Sequence, residues 1–130
     1  MIYVTGDTHR DFDRIADFCA REKTTKKDLM IVLGDAGVNF YEHNPWRDNH
    51  VKQWLESLPI SFLFIHGNHE MRPNKIPTYT IKQWRLGQGF VYTEDDYPSL
   101  AFAVDGCVYE KDDLRMLVCG GAYSVDKFYR

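Results

Sequence analysis

The stretch Ile2-Tyr3-Val4-Thr5-Gly6-Asp7-Thr8-His9 sets four strand-forming residues directly against a glycine, a carboxylate and an imidazole. Two further runs repeat the arrangement. Leu29-Met30-Ile31-Val32-Leu33 is followed by Gly34-Asp35, and Ile60-Ser61-Phe62-Leu63-Phe64-Ile65 by His66-Gly67-Asn68-His69-Glu70. A continuous apolar run of this length is typical of a parallel strand covered on both faces. The C-terminal ends of parallel strands meet at one edge of a sheet, so ligands far apart in sequence converge there. The three strings therefore predict a metal centre assembled by an α/β fold.

Between the strands the pattern changes period. Phe12, Ile15, Ala16 and Cys19 share one face at helical spacing, with Asp11 placed as N-cap; Thr24 and Thr25 end that helix. Residues 48–58 place Val51, Trp54, Leu55 and Leu58 on one face, and Pro59 stops the second helix. Residues 2–5 are expected to form a buried strand, and the strand–helix–strand order implies right-handed crossovers. From Tyr79 onward the segments are short and alternating. Residues 79–84 and 100–104, with turns at Gly87-Gln88-Gly89 and a hairpin-like Asp105-Gly106, predict antiparallel strands and the start of a second sheet.

Composition narrows the class of protein. With 44% hydrophobic and 15% aromatic residues the chain has the material for a packed core, and its 130 residues suit one domain. A formal net charge of −3 argues against binding a nucleic-acid backbone through a basic surface; Lys23, Lys26 and Lys27 are expected at a solvated helix end. The longest apolar stretches fall far short of the ~20 residues a membrane span needs. Neither a transmembrane helix nor a signal peptide is expected, which points to a cytoplasmic protein. Cys19, Cys107 and Cys119 lie in apolar surroundings and are expected to be buried free thiols.

In order and spacing, Asp7 and His9, then Asp35, then Asn68, His69 and Glu70 resemble the first three signature motifs of calcineurin-like metallophosphoesterases. The resemblance covers the first 70 residues well and the remainder loosely. It implies an α-β-β-α sandwich, here cut short after the start of the second sheet, as a single incomplete domain over residues 1–130. It also implies a site for two divalent transition-metal ions (Mn, Fe or Zn), whose bridging hydroxide attacks phosphorus. Asp7, His9, Asp35 and Asn68 would be the metal ligands, with Asp35 between the two ions. A carboxylate beside an imidazole suits those metals better than Mg or Ca. His69 would protonate the leaving oxygen with Glu70 orienting its ring, and Arg10 and Arg72 would grip the substrate phosphate. His43 and His50 are expected to face solvent, and His66 to be a hydrogen-bonded strand-end residue.

The chain also departs from the family. The later Gly-His-x-His string is absent, so the second ion would have only Asp35 and Asn68 among these residues. The Glu of Gly67-Asn68-His69-Glu70 resembles the serine/threonine protein phosphatase branch. However, His66 stands where that branch has Arg, and Gly34-Asp35-Ala36-Gly37-Val38-Asn39 replaces its Gly-Asp-x-Val-Asp-Arg-Gly. Arg10 replaces a glycine common after the first motif. An intact parent is expected to hydrolyse a small-molecule or nucleotide phosphomonoester or phosphodiester, and the 130-residue chain to do so weakly or not at all. The alternative is a catalytically inactive fragment or binding domain keeping half of the metal site, with self-association through uncovered sheet.

Overall fold

In a computed structural model the described residues are 1–6, 12–33, 45–65 and 79–119, without the side chains of 45–49. Five-residue strands β1 (Ile2–Gly6), β2 (Leu29–Leu33) and β3 (Ser61–Ile65) alternate with helices α1 (Asp13–Glu22) and α2 (Pro45–Ser57). They are followed by β4 (Thr80–Gln83), β5 (Phe90–Thr93), β6 (Leu100–Ala103), β7 (Val108–Lys111) and β8 (Leu114–Leu117). The first six strands form one sheet in the order β1-β2-β3-β6-β5-β4; β7 and β8 form a separate two-stranded sheet.

Strand alternation divides the core between the two faces of the large sheet. Met30, Val32, Phe62, Phe64, Leu100 and Phe102 point to one side, where Phe12, Ile15 and Cys19 of the α1 region and Leu55 and Leu58 of the α2 region cover them. Phe64 stacks on Phe102 with ring centroids 4.9 Å apart. Leu29, Ile31, Leu63, Ala101 and Ala103 point to the other side, against Trp84, Tyr109 and Val118. Burying side chains of this size contributes about 1.5–3 kcal/mol each. The layers are helices, a six-stranded mixed sheet and a small antiparallel sheet, consistent with a calcineurin-like fold cut short.

Several local expectations need correction. Strand β1 is not buried: it lies at the sheet margin, and Val4 is 59% exposed. Phe12, not Asp11, occupies the N-cap position of α1, with no side-chain cap; Asp11 lies outside the described residues. Trp54 is 39% exposed, since α2 turns Lys52 and Leu55, with the following Leu58, inward and leaves Trp54 to the side. Strand β6 is antiparallel to β5 but parallel to β3, so β4, β5 and β6 extend the first sheet and the second begins only at β7. The Asp105-Gly106 turn consequently joins strands of different sheets rather than closing a hairpin. Of the three free cysteines only Cys19 is buried; Cys107 is half-buried and Cys119 exposed. Lys26 is no idle surface charge: its Nζ donates to the Glu56 and Ile60 carbonyls at 2.6 and 3.3 Å, capping the C-terminal end of α2.

Candidate metal centre

Parallel pairing in this sheet is in step across three strands. Gly6 of β1 pairs with Leu33 of β2, and Leu33 pairs with Ile65 of β3, so the three strands finish level at the same edge. Neighbouring strands lie about 4.8 Å apart, which puts three chain exits within roughly 10 Å of one another. Asp7 follows Gly6 directly, Asp35 is the second residue after Leu33, and Asn68 the third after Ile65. The strand ends are apolar and partly open there: Leu33 is 50% exposed and Ile65 half-buried.

Gly6 has a steric role that sequence reasoning did not assign. A Cβ at this position would sit 3.3 Å from the Leu33 carbonyl oxygen, closer than ordinary van der Waals contact. The absence of a side chain lets β1 and β2 approach at the last rung before Asp7. The available signal was the glycine itself, set immediately before the first carboxylate.

The expected site residues Asp7, His9, Arg10, Asp35, Asn68, His69, Glu70 and Arg72 lie outside the described residues, as do His43 and His66. His50 lies on α2 and is exposed, as expected. Among the described residues no group of three or more His, Cys, Asp or Glu side chains could hold a metal ion. The donor set carried by the three exits, carboxylate, imidazole and amide oxygen, fits a divalent transition metal. A cavity of about 510 Å³ elsewhere is lined by Lys26, Ser61, Phe62, Trp84, Arg85 and Ser99. It opens where β3 and β6 begin, at the opposite end of the strands, and is separate from this edge.

No described helix is long and apolar enough to cross a membrane. A family model for calcineurin-like phosphoesterases matches residues 1–129. Comparisons with curated proteins and with solved structures give no match. With the match running over nearly the whole sequence, the chain belongs to the calcineurin-like phosphoesterase family, whose members generally bind divalent metals.

Proposed function

We propose that this protein is a metal-dependent phosphoester hydrolase acting on a small-molecule or nucleotide phosphomonoester or phosphodiester. The observation that supports this reading is the level finish of β1, β2 and β3 at Gly6, Leu33 and Ile65, each followed within three residues by a metal-ligand side chain. Asp7, His9, Asp35 and Asn68 would hold the metal. When bound, divalent ions supply Lewis acidity that activates water for in-line attack and stabilises the oxygens on phosphorus.

The remaining roles belong to the chain itself. His69 is assigned as the acid that delivers a proton to the leaving oxygen, and Glu70 as the carboxylate that orients the ring and favours its charged form. Arg10 and Arg72 are assigned to the phosphate oxygens, which a guanidinium meets with paired hydrogen bonds. A single incomplete domain over residues 1–130, a cytoplasmic location and manganese as the working ion complete the proposal.

The test is hydrolysis of an aryl phosphodiester and an aryl phosphomonoester by the Mn-loaded chain and by its variants. Asp35→Asn and His69→Ala are each expected to lower the rate by about 10²–10³. Rates unaffected by both variants would overturn the assignment. Mn binding lost in Asp7→Ala, together with no turnover of either ester by the parent chain, would instead favour the binding-domain reading.

A further inference from the structure

The cavity of about 510 Å³ at the start of β3 and β6 lies away from the metal edge and has its own chemistry. Val91 of β5, Ala101 of β6 and the Trp84–Leu86 segment that leaves β4 line its inner part. The backbone there is already paired: the Phe62 N–H donates to the Ser99 carbonyl and the Trp84 N–H to the Gly89 carbonyl, each at 2.8 Å. Around the mouth stand Lys26, Lys82, Arg85, Glu56, Glu94 and Asp95. The first three and Asp95 are exposed. Covering such charges with another apolar layer would strip them of water at high cost, so the mouth is an opening to solvent and not a face left for further packing.

Every carboxylate at the mouth already has a donor. Glu94 pairs with Lys52, Asp95 with Lys82, and Glu56 Oε2 accepts the Ser99 N–H at 3.0 Å. Asp96, the next acid along the chain, lies near Tyr97 and does not line the cavity. Lys26 gives two of its three N–H groups to the Glu56 and Ile60 carbonyls, which leaves one. Arg85 is the cation left over: among the described residues it meets no carboxylate, and its Nη1 makes only a long bond of 3.4 Å to the Pro98 carbonyl. With Lys52 counted, four cations stand against three carboxylates. Burial, and in smaller part the Arg85 guanidinium, holds the Lys26 ammonium below the ordinary lysine range, while Glu56 opposes that shift. An anion beside Arg85 would relieve this repulsion.

We propose that the cavity binds a small monoanionic carboxylate with a flat apolar body, the carboxylate on Arg85 and the free Lys26 N–H, the body against Leu86, Pro98 and Ala101. A guanidinium meets a carboxylate with paired hydrogen bonds. The volume lies within the range of about 300–1,000 Å³ that holds small organic ligands. One surplus positive charge selects the occupant: a phosphate dianion would keep a negative charge without a partner beside Glu56, and a cation would meet Arg85 directly. The site holds independently of whether the opposite edge binds metal.

The experiment titrates the whole chain with 2-naphthoate, neutral 2-naphthamide and cationic 2-naphthylmethylammonium by calorimetry, and maps naphthoate binding by amide NMR shifts. Saturable one-to-one binding of 2-naphthoate is expected, about tenfold or more tighter than the amide. The shifts are expected to cluster on Leu86, Thr93, Ser99 and Ala101. Arg85→Gln is expected to bring naphthoate down to the amide's affinity while leaving the amide unchanged, and Arg85→Glu to transfer preference to the ammonium probe. Arg85 is exposed, so both variants are expected to keep the parent melting temperature. Absence of saturation, equal affinity for naphthoate and naphthamide, shifts centred on any other part of the chain, or a naphthoate preference that survives Arg85→Gln would each overturn the proposal.

Discussion

The Tyr109 hydroxyl donates to the Phe90 carbonyl at 2.6 Å, tying β7 of the small sheet to β5 of the large one. The same oxygen accepts the Val104 N–H at 2.8 Å, and the ring sits edge-on to Trp84. Tyr109→Phe keeps the ring but leaves a part-buried carbonyl and N–H without this partner. A loss of about 1–3 kcal/mol is expected in urea unfolding.

Alkaline pH tests the same contact. Burial pushes the Tyr109 phenol well above the ordinary tyrosine range. Its neutral form is therefore favoured by folding, and the stability it contributes is complete below about pH 10 and declines as pH rises further. Melting temperature followed from about pH 8 to pH 11 is expected to fall more steeply for the parent than for Tyr109→Phe.

Lys52 and Glu94 form an ion pair inside the helix-covered side of the sheet, with side chains only 5% and 13% exposed. The Lys52 ammonium also lies 4.6 Å from the centre of the Tyr79 ring. Lys52→Met strands a carboxylate and is expected to cost about 3 kcal/mol. Adding Glu94→Leu should restore much of that loss, since an apolar pair needs no counter-charge. A double-mutant cycle by chemical denaturation reads the difference.

Gly6→Val brings a Cβ against the Leu33 carbonyl, and the rung must open by a few tenths of an ångström. The displacement falls at the ends of β1 and β2, the strand ends that precede Asp7 and Asp35 in sequence. Manganese affinity is expected to drop about tenfold, a loss typical of altered support around metal ligands. Titration calorimetry of the variant checks it.

Chelator-stripped chain reloaded with manganese is expected to retain one tight ion. On the proposed assignment Asp7, His9 and Asp35 would offer it three donors, whereas a second ion would draw on Asp35 and Asn68. Metal analysis after desalting gives the stoichiometry, and Asp7→Ala should abolish retention while His43→Ala should not.

The parallel half of the fold was legible because its strands are mainly apolar runs followed by a glycine and polar motif residues, as in Leu29–Leu33 before Gly34-Asp35. The helix face Phe12, Ile15, Cys19 was legible for the same reason: period 3.6 has no rival reading there. Strand order was not. Leu100–Ala103 is buried throughout, as a strand inserted between β3 and β5 must be, yet nothing local distinguishes it from a strand that pairs with its sequence neighbour. Trp54 failed because a shared helical face is wider than the part that touches the sheet. The meeting of the three strand ends at one edge was legible from the parallel strand–helix–strand pattern and is seen in the Gly6, Leu33 and Ile65 register, whereas the proposed ligands beyond them lie outside the described residues.

The insertion of β6 between β3 and β5 bears on biogenesis. As the chain leaves the ribosome, β1, β2 and β3 can associate once residue 65 has emerged, but the β3 margin then stays bare until Leu100–Ala103 follows. The β4–β5 hairpin meets the large sheet only through β6. During that interval a nascent chain displays an apolar Phe62-Leu63-Phe64 ladder to its surroundings. Slow translation across residues 66–99 would lengthen the interval, making this span the one where chaperone capture or nascent-chain aggregation is decided.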